Sequence, residues 1–471
     1  MPQRGLKRSR YYRILVDLTV FVRCRVRVAI VGGGVSGLTA AWLLRDTCEV
    51  TLFEQDRRVG GHSNTVSFQK DGDQFSIDTG FIVYNDRTYP NFQSLLAQLG
   101  VDGVPTEMSF AVRCEKSGTE YCGSNLSGLF AQRSNLFSIK FLRMISDILR
   151  FNKIGTLDAD APDHTMTVGQ YLKKHRLGSD FSDLYLLPMG AAIWSCPTGS
   201  FADFPIGFIL EFYLNHGLLS IRNRPQWYTI PGGSRRYVDR FCQVLGDRLR
   251  PGLAVESVTR TPDSVLVRTA AGTEHFDEVI FACHSDQALR LLQDASSLER
   301  QVLNAFPYEP NEAILHTDES VLPARRKAWA AWNYRVTRDA NARPTVSYNM
   351  NILQHINSRH TFCVTLNDAG MIDPAKIISR HMYSHPVFTL ERAPMQARHG
   401  ELIRNNRTSF CGAYWGNGFH EDGVVSALAV AKRFGIQSIN DSAKPVSMGE
   451  VVLKGDNNTS RLPQRPETSH A

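Results

Sequence analysis

Residues 25–66, RVRVAIVGGGVSGLTAAWLLRDTCEVTLFEQDRRVGGHSNTV, decide how the rest of the chain is read. Residues 26–31 are a short β-rich apolar run, the length of one buried parallel strand. Gly32, Gly34 and Gly37 then give GxGxxG ahead of the helix-like SGLTAAWLLRD. Gly32 suits a tight turn, Gly34 lets backbone approach a pyrophosphate, and Gly37 lets the helix pack close on the strand. The helix start, with Val35 and Ser36, offers N–H groups and a partial positive charge to phosphates. A second strand, 49–53, ends at Glu54 with Gln55 beside it, and an acid about 20 residues past the glycines is placed to accept ribose hydroxyls. A lone GxGxxG is weak evidence. Strand, glycines, helix, strand and acid in order point to a dinucleotide site, against the competing reading of a glycine-rich turn in an unrelated α/β protein.

The residues after Gln55 separate flavin from nicotinamide. Arg58-Val59-Gly60-Gly61-His62 resembles the RxGGR signature that follows the ribose-binding acid in FAD proteins of the amine oxidase and phytoene desaturase superfamily. His62 stands where the final arginine would be. The run GGHSNTV at 60–66, with DTGFIVYN at 78–85, resembles a narrower group, the FAD-binding oxidoreductases often encoded beside cyclopropane-fatty-acid synthases. The resemblance implies an α/β (α+β) fold in which a Rossmann-type FAD domain carries an inserted sheet-and-helix substrate domain. It also implies FAD as cofactor, with Arg58, Gly61 and His62 among its contacts.

Length and charge bound the rest. The 471 residues suffice for two or three domains with large cores. The formal charge of +7 is concentrated in residues 1–25, where seven Arg or Lys face the single acid Asp17. The remainder is nearly neutral, which excludes a general basic field for nucleic acid. The nine cysteines include no CxxC and their number is odd, which suits reduced thiols in a cytoplasmic-type compartment. With no zinc-type Cys/His cluster in the sequence, no metal is expected. The arginine-rich start reads as a transit peptide, a membrane-surface anchor or an untethered extension. The tail from 438 to 471 is polar and poor in apolar residues, so disorder is expected there.

The middle of the chain changes character. Residues 106–231 hold 10 of the 25 phenylalanines. LFSIKFLRMISDILRF at 136–151 is amphipathic, with Phe137, Phe141, Ile145 and Ile148 on one stripe and Lys140, Arg143, Asp147 and Arg150 mostly opposite. Phe201, Phe204, Phe208 and Phe212 recur at helical spacing on a second face. Such stripes read as ordinary core, or as the wall of an apolar substrate cavity in a domain resting on a membrane through the basic face of the first helix. Three strands are expected at 254–258, 264–269 and 279–283, with a hairpin turn at Ala271-Gly272. By the resemblance, the first offers Val255 backbone to the adenine and the last ends in Ala282-Cys283-His284 near the cofactor.

A second strong signal is SFCGAYWGNGFHEDG at 409–423. A β run ending at Gly412, then Asp422-Gly423 opening a helix over 424–434, resembles the closing FAD motif of the superfamily, whose helix points at the flavin pyrimidine. Reduced flavin is anionic there, which helix N–H groups stabilise. Gly423 and Val424 backbone are expected at that edge, with Tyr414, Trp415 and His420 lining the ring. Two departures weigh against amine oxidation. The acid that relatives place just after the first glycine of this motif is replaced by Ala413-Tyr414-Trp415, and the strand-like stretch 309–322 has no lysine.

The expected protein is an FAD-dependent oxidase or desaturase acting on a small-molecule or lipid substrate. Its FAD domain spans 26–105, 232–305 and 405–437, and its substrate domain 106–231 and 306–404. His62, Trp415 and His420 are the candidate catalytic residues. The alternatives are an amine or amino-acid oxidase, or a flavin-free prenyl-binding escort protein of the same fold.

Overall fold

A computed structural model describes residues 25–194, 201–220, 222–338, 345–368, 370–387, 389 and 391–442. The opening apolar run forms β1 (Arg27–Val31), and the helix after the glycines is α1 (Val35–Leu44). Every residue of α1 from Ser36 to Leu44 is buried, as a helix apolar on all sides must be. β2 (Glu49–Glu54) returns parallel to β1, setting Phe53 opposite Val31. The hairpin β3 (Thr65–Lys70) and β4 (Asp73–Asp78) comes next, then α2 (Pro90–Leu99). Gly100 closes α2 at φ 65°, a left-handed C-cap that glycine adopts without strain.

β5 (Phe110–Cys114) and β6 (Glu120–Cys122) lead into a helical stretch whose longest member is α3 (Ile139–Asp158). The sequence stripe describes α3 only in part. Phe137 precedes the helix and is 87% exposed, while the buried face runs through Phe141, Met144, Asp147 and Phe151. Asp147, expected on the polar side, is buried because its carboxylate accepts the Gly178 N–H at 3.0 Å and faces Arg150. The second stripe is broken as well. Pro205 stands ahead of α4 (Ile206–Asn215), so Phe201 and Phe204 lie outside that helix. All four phenylalanines nevertheless converge on Trp194, with ring centroids 4.8 to 6.1 Å away.

After α5 (Arg235–Leu245) and β7 (Leu249–Pro251), the chain holds one strand more than the sequence predicts. β8 (Val255–Arg260), β9 (Val265–Thr269) and β10 (Gly272–Phe276) make an antiparallel sheet of their own. β11 (Glu278–Phe281) leaves it to lie parallel to β1. The hairpin at Ala271-Gly272 returns along the whole of β9, which releases the fully buried β11 for the central sheet.

β12 (Tyr308–His316), β13 (Trp332–Val336), β14 (Thr345–Asn349), β15 (Cys363–Leu366) and β16 (Ile377–Pro386) join β5 and β6 in a seven-stranded sheet. Its order is β16-β12-β15-β14-β13-β5-β6. β17 (Thr408–Phe410) then completes a parallel sheet of order β7-β2-β1-β11-β17, gathered from widely separated stretches of chain. α6 (His420–Lys432) packs across α1. It begins earlier than the sequence predicts, because Asp422 sits inside the first turn and its carboxylate accepts the Phe419 N–H at 2.8 Å.

The chain is still packing where the polar tail was expected to begin, since Ile439 is 2% exposed beside α1 and α2. Residues 443–471 of that tail and the basic residues 1–24 lie outside the described residues. Among the described residues no helix is long and apolar enough to cross a membrane.

Candidate cofactor and active site

The loops that leave the C-terminal ends of β1, β2, β11 and β17 open into one cavity of about 960 Å³. β1 pairs with β2 on one side and β11 on the other, so the cavity occupies the crevice where ligands bind in open parallel sheets. The glycines of the first loop differ in what they answer to. Gly32 has φ 108°, and a Cβ there would lie 2.9 Å from the Cys283 nitrogen. At Gly37 it would lie 1.9 Å from the Gly32 carbonyl oxygen. A Cβ on Gly34 would meet nothing within 4 Å. Gly32 and Gly37 are therefore required by the packing of the chain itself. Gly34, which lines the cavity, leaves room that the protein does not fill.

Glu54 and Arg58 shape the floor. Glu54 accepts the Gly33 N–H through Oε2 at 2.7 Å and the Asp56 N–H through Oε1 at 3.0 Å. Arg58 donates to the carbonyls of Gly61 at 2.9 Å and Ser63 at 3.0 Å, clasping the glycine-histidine loop. The Gly60 N–H donates to the Gly33 carbonyl at 2.7 Å, which holds that loop on the β1–α1 turn. Val35, Ser36, Gln55, Gly61, Val255 and Gly412 also line the cavity.

His62 is fixed from behind. The Phe81 N–H donates to its carbonyl at 2.8 Å, and a Cβ on Gly80 would lie 2.1 Å from that oxygen. Its ring lies 4.9 Å from Tyr383, 5.3 Å from His385 and 6.4 Å from His284, between centroids. His284 in turn stacks on Tyr308 at 4.2 Å. Nε2 of His62 and Nδ1 of His385 are buried with no hydrogen-bond partner among the described residues. Burial, then the neighbouring His385, holds His62 well below the usual histidine range, and burial holds His385 to about 4. At neutral pH the group therefore presents uncharged imidazoles, each with one donor and one acceptor nitrogen. Among the described residues no set of three or more His, Cys, Asp or Glu is arranged to hold a metal ion.

His420 also lines the cavity, but its side chain is anchored. The ring stacks on Phe81 at 3.5 Å, and Nε2 lies 2.9 Å from Ser63 Oγ and 3.1 Å from the Tyr237 hydroxyl. Burial lowers it to about 3. Trp415 is elsewhere: it stacks on His399 at 4.1 Å, packs against Phe306 and does not line the cavity. The expectation that it faces the ring is corrected on that ground, since the short turn at Ala413–Trp415 points Tyr414 and not Trp415 inward. Asp422, Gly423 and Val424 are likewise behind the wall, because α6 starts one turn earlier. The Gly423 N–H donates to the Phe419 carbonyl, and a Cβ there would press on Val35 and Ser36 at 2.8 Å. Gly37 serves the same helix-on-loop packing and does not reach the cavity.

The far wall comes from the seven-stranded sheet and the phenylalanine-rich helices. Met108, Phe110, Met189, Ile193, Trp194 and Phe212 supply its apolar part. Among the described residues no lysine, aspartate or glutamate lines this side, and the one permanently charged side chain there is the exposed Arg224. His385 and Tyr383, on β16, and Tyr308, on β12, were not legible as site residues in the sequence. They occupy ordinary strand positions, and only the pairing of β12 with β16 brings them against the His62 loop.

A family model described as flavin containing amine oxidoreductase matches residues 35–359. Solved structures of similar fold include a CLA-producing fatty acid isomerase from P. acnes, at 15% identity and TM-score 0.62, covering 87% of this chain and 98% of that one. A cyclohexylamine oxidase from Brevibacterium oxydans IH-35A has 14% identity and TM-score 0.62, with 87% and 100% covered. A wild-type putrescine oxidase bound to putrescine has 15% identity and TM-score 0.60, with 87% and 99% covered. At such identities the likeness is one of fold. No curated protein sequence matches the chain.

Proposed function

The chain belongs to the flavin containing amine oxidoreductase family, and on that premise we propose that it takes a hydride from an apolar substrate, a lipid or fatty-acyl chain. It is an FAD-dependent oxidoreductase, which sets aside the flavin-free escort reading. The cavity fits the cofactor: the space in front of Gly34 accepts a pyrophosphate, and the unpartnered His62 Nε2 and His385 Nδ1 offer polar contacts to a bound ring system. Gly32, Gly34, Val35 and Ser36 would hold the phosphates, Glu54 and Gln55 the ribose, and Val255 the adenine. Arg58, Gly61, His62 and Gly412 would support the rest. FAD, when bound, supplies the hydride acceptor.

The protein's own part is positioning and the exclusion of water. The proposed division assigns the parallel sheet and its helices to a cofactor unit, and the seven-stranded sheet with α3 and α4 to a substrate unit. Support for the substrate class rests on one observation: among the described residues the substrate-side wall carries no carboxylate. An ammonium group entering it would be desolvated without an ion-pair partner, at a cost of several kcal/mol. An acyl chain gains about 0.8 kcal/mol per buried methylene, and Arg224 offers a cation to an anionic head. Loss of a hydride from one carbon and a proton from its neighbour leaves a double bond. His62 and His385, neutral imidazoles that line the cavity, are the residues this reading assigns to that proton. A substrate of this kind is drawn from a bilayer, so peripheral membrane contact belongs to the same reading.

The second reading, an amine or amino-acid oxidase, is favoured by the family and by two of the neighbours. One experiment separates the two. The yellow holoenzyme is mixed without oxygen with fatty acids or phospholipids, and separately with primary and secondary amines, and the flavin absorbance is followed. Bleaching by a lipid is the expected result. Bleaching by amines alone would overturn the proposal.

A further inference from the structure

Most large hydrophobic side chains left exposed fall in one segment. Outside residues 126–157 only Leu214, Met382 and Val425 are so exposed among the described residues. On α3, the exposed Ile139, Leu142, Leu149 and Leu157 lie within about 80° of the helix circumference, opposite the buried Phe141, Met144 and Phe151. Phe137 extends the stripe past the N-terminus. The helix thus has two apolar faces, and folding covers only one of them.

The charges beside the open face are mostly of one sign. Arg133, Lys140, Arg143, Arg150 and Lys153 are exposed. Of the two acids on α3, Asp147 is buried, and Asp158 at the C-terminal end is held by Tyr171 and His175. An apolar stripe flanked mainly by cations complements a surface that is apolar below and anionic above. A second copy of the chain would meet the same positive field and be repelled.

We infer that this outer face of α3, with Phe137, is the surface on which the protein lies against an anionic phospholipid bilayer. This deepens the substrate reading by naming a partner surface, and it rests on that reading only for its purpose. The inner face of α3 packs on α4, where a Cβ on Gly155 would touch Leu210. α4 in turn contributes Phe212 to the cavity. The bilayer side and the apolar wall are thus opposite sides of one pair of helices.

The test is vesicle sedimentation of the full-chain holoenzyme, with no turnover involved. Vesicles of phosphatidylcholine containing about one third phosphatidylglycerol should carry the protein down, and pure phosphatidylcholine should carry far less. The triple variant Phe137→Ser, Ile139→Ser, Leu142→Ser should lose about tenfold in vesicle binding, as should Lys140→Glu with Arg143→Glu. Flavin content and melting temperature should stay unchanged, because none of these side chains is buried. Equal sedimentation of wild type and both variants would overturn the inference, and would point to another segment such as the basic residues 1–24. A dimer in solution that the triple variant splits, without vesicle binding, would overturn it in favour of a second copy. Failure of the lipid substrate reading would show instead as vesicle binding without flavin bleaching.

Discussion

Gly34 and Gly37 stand three positions apart in one motif, yet a side chain at each meets a different obstacle. At Gly34 a Cβ enters open cavity, so Gly34→Val should leave the apoprotein's melting temperature nearly unchanged while the protein purifies colourless. Full flavin occupancy in that variant would put the cofactor elsewhere. At Gly37 a Cβ collides with the Gly32 backbone, which has no room to retreat. Gly37→Ala should therefore destabilise the apoprotein itself by about 1–3 kcal/mol, read from a urea midpoint. Glu54 lies between the two cases. It organises the loop through Gly33 and Asp56, so Glu54→Ala should weaken FAD by a few kcal/mol at most, measured by flavin release on dilution.

Elements are tied together by buried polar groups whose partners are remote in sequence. Arg260, the last residue of β8, donates to Asp294 at 2.9 Å and to both carboxylate oxygens of Glu299, at 2.6 and 3.0 Å. Arg260 and Glu299 are almost fully buried, and the carboxylate stays ionised because the guanidinium and the Ser296 backbone outweigh its desolvation. Arg260→Ala strands a buried carboxylate and should cost about 3–5 kcal/mol in denaturant unfolding, with β8 detaching from the helix at Ser297–Leu303. A cost below about 1 kcal/mol would mean that water replaces the arginine. At this scale the sequence predicted the first strand–helix–strand unit and the longer amphipathic helices from periodicity, but not the β3–β4 hairpin or much of the seven-stranded sheet. It erred where a single side chain redirected the chain: Pro205 ahead of α4, Asp422 within α6, Asp147 inside α3.

For the molecule as a whole, buried neutral histidines dominate the response to acid. His316 and His399 lie outside the cavity, and burial holds each to about 4. The unfolded chain, with histidines near 6.5, binds more protons than the folded one between those values. Stability should therefore be full above about pH 6.5 and fall as pH drops toward 4, by a few kcal/mol per group at most. Asp78 and Asp422, which burial raises to about 6, act in the opposite sense between about 4 and 6. The histidines outnumber them, since His216 and His385 are held equally low, so a net loss is expected. Chemical denaturation of the apoprotein at pH 7 and pH 5 checks this. His399→Gln, which can keep a donor toward the Phe410 carbonyl, should flatten the slope.

The residues from 25 to 66 were enough, read alone, to predict the strand–turn–helix–strand unit that forms one end of the cavity. Its logic is local: glycines, a helix start and an acid lie within one unit, so spacing along the chain is spacing in space. His62, singled out by its place in the same stretch, lines the cavity beside it. The far wall was decided only by tertiary structure. His385, Tyr383 and Tyr308 reach His62 through the pairing of β12 with β16, more than 240 residues further along, as Tyr237 reaches Ser63 and His420 across α5 and α6. The outward stripe of α3 was decided there too. Periodicity shows that a helix has an apolar face, but which face its neighbours cover is settled by packing, and α3 has two.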